Sequence, residues 1–253
     1  REKGLTLDQL MSLMKAESDG KWTIQAMADK AVLHGILENM GMPQMPAHLI
    51  VQGPGVDRRE IEYCLRENLC CANSSDIVVK PTHMSNVEGV VFMSRPQRGE
   101  EGVAQSVDFV EKHMQRFMER RASTYESKAL QSLRPGFIVQ PKYEPILDLQ
   151  SPLELRVVVL WGRARMAVWW WGRPGQAQGQ KASWNTWMVR VPARKGELSD
   201  EEDTWEAVHQ MTGNEASFQQ ALRTFHQHMP GVAGMAEALA IAVGAPFLRC
   251  DFF

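Results

Sequence analysis

Cysteine is scarce and unpatterned in this chain of 253 residues: Cys64, Cys70, Cys71 and Cys250 form no CxxC pair and meet no matching histidine cluster. That speaks against a structural zinc site or a disulfide framework and makes a reducing compartment the default. Long apolar runs are lacking too. The longest, residues 157–161 and 235–243, fall far short of the roughly 20 residues a bilayer requires. No signal-peptide pattern opens the chain, which begins at Arg1. Nor is there an excess of one charge. A net charge of -2 and a pI near 6.4 give no general attraction to nucleic acid or anionic lipid, so any polyanion site must be local. These absences describe a soluble protein of the cytoplasm or an organelle interior, with no membrane span and no nucleic-acid partner. What is present suffices for a core: 44% hydrophobic and 23% charged residues suit one domain of two lobes, or two small domains.

Apolar spacing organises the chain. Residues 5–14 suit a short amphipathic helix with Thr6 or Asp8 near its start, and 23–40 a longer one stopped by Gly41 and Pro43. A strand over 47–51 ends at Gly53-Pro54-Gly55, and a helix over 57–69 has Asp57 as N-cap and Ile61, Cys64, Leu65 and Leu69 on its inner face. A strand over 76–80, a polar loop over 81–88 and a strand over 89–93 follow, then a mainly helical stretch over 100–133 and a short strand over 137–140. Residues 154–161 and 164–171 form a hairpin across Gly162-Arg163. Glycine, glutamine and alanine over 172–183 indicate a mobile loop, and the acidic opening at 200–203 suggests a helical region over 198–228. A buried helix over 232–243 and a core strand over 246–253 close the chain, and no internal repeat is visible.

Five features could carry chemistry, and each has a plain structural reading beside it. Lys80 ends a buried strand before a small-residue loop containing Ser85. Such a lysine either lies in solvent on an ordinary hairpin or reaches a phosphate covered by loop N–H groups. Asp29-Lys30 reads first as a solvated charge pair. Gln140-Pro141-Lys142-Tyr143 is either a strand leaving the core or a hinge offering backbone groups to an adenine edge. Glu154 and Arg156 share a strand face, which is a solvated surface or the floor of a polar cleft. Arg249 and Asp251 share a face of the terminal strand, so Asp251 is either paired with Arg249 or a Mg²⁺ ligand.

The order of these pieces resembles the ATP-grasp superfamily: Asp29-Lys30, Gly41-Met42-Pro43, Val79-Lys80-Pro81, the hinge at 140–143, Glu154 and Arg249-Cys250-Asp251. The resemblance covers residue 23 to the end and is nearest to the teichuronopeptide-biosynthesis (TupA-like) type, whose ADK, KP-loop and R-x-D segments have counterparts here. It implies an α+β fold in which two lobes with antiparallel sheets clasp a nucleotide cleft. Residues 1–75 would be an N-terminal segment of the core, 76–140 a small lobe with the phosphate loop, and 141–253 a truncated large lobe with the metal-binding strand.

The implied activity is that of an ATP-dependent carboxylate–amine ligase acting through an acyl phosphate, with ATP and Mg²⁺ as cofactors. Its substrates would be small-molecule, peptide or glycan carboxylates and amines. By the same resemblance Lys30 and Lys80 contact phosphates, Ser85 lies in the phosphate loop, and Gln140, Lys142 and Tyr143 surround adenine. Glu154 meets the ribose, Asp251 binds Mg²⁺, and Arg249, with Lys80, stabilises the transferring phosphoryl group. Met84, Asn86 and Val87 stand where that family prefers glycine, Gln140-Pro141 stands where it commonly has acidic residues, and no Glu-x-Asn strand follows Asp251. Those departures define the alternative, a catalytically degenerate ATP-grasp-like binding or assembly protein, and a kinase on the same scaffold is a third reading. The 15 methionines and 8 tryptophans, Trp169-Trp170-Trp171 among them, read as core filling or as a surface for a protein partner. His209, His226 and His228 lack the spacing of a helical metal pair and read as surface residues.

Overall fold

The computed structural model describes residues 27–53, 55–69, 76–85, 87–94, 99–122, 128–142, 154–172, 183–191, 204–210 and 215–252, with Thr6, Gln9, Ser12 and Leu13. The protein is α+β, with two antiparallel sheets, and the chain divides into two compact units at Lys142/Tyr143. Of the first expected helix, Thr6 is the described start. Thr6 and Gln9 bond reciprocally, Gln9 N–H to Thr6 Oγ1 at 3.2 Å and Thr6 N–H to Gln9 Oε1 at 2.9 Å, which is a capping box.

The first unit is built on α1 (Lys30–Asn39), β1 (Leu49–Gln52), α2 (Arg58–Leu69), β2 (Ile77–Pro81), β3 (Val91–Met93), α3 (Gly99–Met118), the short α4 (Lys128–Gln131) and β4 (Gly136–Pro141). Its sheet runs β1-β4-β2-β3, every neighbour antiparallel. Helix α2 buries Ile61, Cys64, Leu65 and Leu69, the four residues that its period selects, and Asp57 Oδ1 accepts from Arg59 N–H at 2.8 Å. Helix α3 buries Val103, Val107, Val110, Met114 and Phe117 at helical spacing. Both stripes meet Ile77, Val79, Phe137 and Val139 in one core. Strand alternation therefore turns Val78, Lys80, Ile138 and Gln140 to the opposite face, the face on which α1 contacts β4.

One expectation changes here. The helix expected over 23–40 is interrupted at Asp29: Met27 and Ala28 are helical, Asp29 is extended (φ -81°, ψ 113°), and α1 starts afresh at Lys30 with the Asp29 carboxylate as its cap, accepting from Ala31 N–H at 2.9 Å, while residues 23–26 lie outside the described residues.

The second unit contains β5 (Glu154–Leu160), β6 (Arg163–Gly172), β7 (Ser183–Val191), β8 (Thr204–Gln210), α5 (Glu215–Ala242) and β9 (Phe247–Phe252), in sheet order β8-β7-β6-β5-β9. The expected hairpin is present, turning through Trp161 (φ 47°) and Gly162 (φ 74°), the left-handed pair that a tight hairpin needs. Helix α5 lies on β5, β6 and β9, with Phe225 against Trp169 and Trp205 at centroid separations of 5.1 and 6.4 Å. Glu237 Oε1 accepts from both Ala164 N–H and Arg190 Nη1 beside the β6 bulge at Arg165.

Three expectations are corrected. Residues 204–210 are strand, not helix: β-branched Thr204 and aromatic Trp205 suit a pleated surface, and they pair in register with Val191 and Arg190 of β7. The two expected helices over 198–228 and 232–243 are one, α5, which carries Pro230 inside it. The terminal strand, expected as a core strand over 246–253, buries only Cys250 among its described residues and, among the described residues, pairs with β5 alone. Gly172 closes β6 and Ser183 opens β7, and the rest of the expected mobile loop lies outside the described residues. His226 and His228 are exposed, while the side chains of His209, Trp170 and Trp171 are outside the described residues.

Met114 is wholly buried in the first unit's core. Met114→Ala leaves a cavity there, and denaturant titration is expected to show that unit losing about 2–5 kcal/mol.

Candidate functional site

Lys30 is the first residue of α1, with Asp29 fixed beneath it at 5% exposure. Its ammonium does not meet the Asp29 carboxylate, as a solvated charge pair would. It donates to the carbonyl oxygens of Met84 and Thr82, at 2.5 and 3.4 Å, and its backbone N–H also points to Thr82 O. Lys80 leaves the sheet from the end of β2, on the face opposite the α2–α3 core, and is half-buried. Among the described residues its ammonium has no hydrogen-bond or ion-pair partner.

The electrostatics follow. Burial, then the nearby positive charge of Lys80, pulls Lys30 down to about 8, against the pull of Asp29 in the other direction. Burial also lowers Lys80. Two ammonium groups thus share one region of the first unit, with no carboxylate in ion-pair contact with either among the described residues. An arriving anion would relieve that repulsion.

The segment between them is built tightly. Thr82 N–H donates to Gly136 O at 2.9 Å, and a side chain at Gly136 would stand 2.6 Å from Val51 O and 2.8 Å from Thr82 Oγ1. His83 is 1% exposed and engages both ring nitrogens, with Phe117 O at 3.2 Å and Gly136 N–H at 3.3 Å. Met84 joins the core, and Ser85 O accepts from Glu88 N–H at 3.0 Å as the turn begins. Val87 holds φ 64°, a conformation a β-branched residue resists and glycine adopts freely. Val87, where the resemblance leads one to expect glycine, thus holds a backbone conformation that glycine adopts without strain.

The described residues of the expected hinge have partners of their own. Gln140 Nε2 donates to Met45 O at 3.2 Å. Lys142 gives its backbone N–H to Asp76 O at 2.7 Å and sets its ammonium 3.3 Å from the Asp76 carboxylate. Tyr143 lies outside the described residues.

In the second unit, Glu154, Arg156, Arg249 and Asp251 share one sheet face, Arg156 opposite Asp251 in register. Glu154 Oε1 accepts from Arg156 Nε at 2.7 Å, and Arg249 binds both Asp251 oxygens at 2.8 Å. The hydrogen bond to Glu154, followed by that residue's charge and then Asp251's, raises Arg156. No group of three or more His, Cys, Asp or Glu forms a metal cage among the described residues. Asp251 alone suits an ion that arrives already held by phosphates, provided that it leaves Arg249.

Sequence reasoning singled out Lys30 and Lys80 but missed His83, whose only signal was its place between Lys80 and Ser85. No protein-family model matches the chain, and no curated protein matches it. Among solved structures, D-alanine–D-alanine ligase from Bacillus anthracis superposes with a TM-score of 0.39 and 10% identity, over 89% of this chain and 52% of its own. The ATP-grasp ligase PsnB complexed with minimal precursor gives 0.39 and 12%, over 95% and 55%. PsnB with precursor peptide PsnA2 and AMPPNP gives 0.37 and 13%, over 95% and 52%. The chain spans about half the length of these structures, and at that similarity no residue role is transferred from them.

Selective ¹³C labelling should show Lys30 titrating near about 8. Lys80→Met is expected to move that midpoint upward, yet not back to the ordinary 10.5, because burial is the larger cause. Its sign in stability is fixed by the same shift. Charged Lys30 costs stability at pH 8 and below, and the cost is relieved as pH rises from about 8 towards 10.5.

Proposed function

We propose that Lys30 and Lys80 hold the phosphates of ATP, and that the chain is the nucleotide-binding part of an ATP-grasp ligase. The observation that carries this reading is the pair of lysines, brought together from α1 and β2 without a carboxylate in ion-pair contact among the described residues. Phosphoryl transfer asks a protein chiefly for positioning and cationic stabilisation, which this pair supplies.

In the proposed reaction a substrate carboxylate oxygen attacks the γ-phosphorus and ADP departs. An amine or related nucleophile then displaces phosphate from the acyl phosphate. Lys80 and Arg249 stabilise the transferring phosphoryl group, Ser85 belongs to the loop over the phosphates, Gln140 to Tyr143 border the adenine, and Glu154 meets the ribose. Asp251 would hold Mg²⁺, which would supply neutralisation of phosphate charge. The carboxylate and amine substrates are small molecules, peptides or glycans.

A second reading, a binding or assembly protein without turnover, is favoured by Val87 in the phosphate loop and by the closed Arg249–Asp251 pair.

Mg·ATP is expected to raise the melting temperature, and at 100-fold excess over Kd the gain corresponds to about 2.7 kcal/mol. Lys80→Ala and Lys30→Ala should each weaken binding by about tenfold or more, the value of a charge-assisted hydrogen bond. No shift with Mg·ATP, or binding untouched by both substitutions, would defeat the nucleotide reading. Among binders, ADP release that depends on an added carboxylate decides for the ligase over the non-catalytic reading.

A further inference from the structure

His83 is a buried histidine between two residues whose carbonyls hold Lys30. Its ring is bonded at both ends, and the two ends differ in kind. Gly136 N–H can only donate, so Nδ1 must be the acceptor. The proton therefore sits on Nε2, which donates to Phe117 O at the end of α3. One neutral tautomer satisfies both contacts. Together with Thr82 N–H to Gly136 O, these bonds tie the segment bearing Thr82 O and Met84 O to β4 and to α3, and those oxygens fix the Lys30 ammonium.

We propose that neutral His83 is the positioning residue of the phosphate site, setting the Thr82–Met84 carbonyls that aim Lys30, and that its protonation disassembles that arrangement. This rests on the nucleotide reading above. An imidazolium is a donor at both nitrogens, so Gly136 N–H would face another N–H in a buried space. It would also add a third cation near Lys30, from α1, and Arg121, which follows α3. Burial is the largest cause disfavouring its charged form, and Arg121 and Lys30 add to it; the carbonyl of Phe117 opposes them, whereas the Gly136 N–H, a donor, has nothing to offer an imidazolium. A histidine held below its ordinary 6.5 contributes stability that is present above that value and is lost as pH falls beneath it.

The test compares the full chain with His83→Gln and His83→Leu, reading Mg·ATP affinity at pH 8 and melting temperature from pH 8 to 5. A glutamine amide can accept from Gly136 and donate to Phe117 but does not titrate; leucine does neither. His83→Gln should bind within about threefold of wild type and His83→Leu about tenfold or more weaker, as the loss of two buried hydrogen bonds implies. Below pH 6.5 the wild-type melting temperature should fall more steeply than that of His83→Gln. Wild-type binding matched by a folded His83→Leu would overturn the proposal alone. If His83→Leu fails to fold, identical pH profiles of wild type and His83→Gln overturn it instead. Wild-type protein that does not bind Mg·ATP overturns the nucleotide reading, and this inference with it.

Discussion

A half-buried ammonium with carbonyl oxygens for partners is the constraint around which the first unit is arranged. Lys30 is charged, removed from much of its water, and answered by the dipoles of Thr82 and Met84 instead of by a carboxylate. Such a group is tolerable only if the segment offering those oxygens is held from elsewhere. Gly136, His83 and Phe117 do the holding, which explains why a side chain at Gly136 has no room and why a histidine can be buried there with both nitrogens satisfied. Asp29 completes the arrangement from the helix side, its carboxylate occupied by the backbone amides of α1.

How much of this could be read from the residues depended on whether the signal was local. The inner face of α2 was fully legible, since Ile61, Cys64, Leu65 and Leu69 are selected by helical period alone. The β5–β6 hairpin was legible from Gly162 and its flanking apolar residues, and the shared face of Arg249 and Asp251 from alternation. Strand β8 was not, because four acidic residues before it imitate a helix start, whereas its partner β7 is remote in the local pattern. Asp29-Lys30 misled for a related reason. The dipeptide looks the same whether its charges face water or, as here, one caps a helix and the other turns inward.

The two units solve burial differently. In the first, two amphipathic helices cover one sheet face and α1 contacts the other side through β4. In the second, α5 meets the sheet largely through aromatic and small residues, Trp169, Trp205 and Phe225 beside Ala233, Ala236 and Ala240. The face carrying Glu154, Arg156, Arg249 and Asp251 is the one whose charges neutralise each other within and across neighbouring strands.

Glu237 gives that second sheet a kind of molecular key. One of its oxygens receives the amide of Ala164, at the irregular step of β6, and the guanidinium of Arg190 on β7. Sliding either strand by a residue would invert its side chains and withdraw a donor from that oxygen. Rotating the helix would withdraw both. Strand alignment and helix azimuth are therefore not separate degrees of freedom in this unit, since a single carboxylate reads them together.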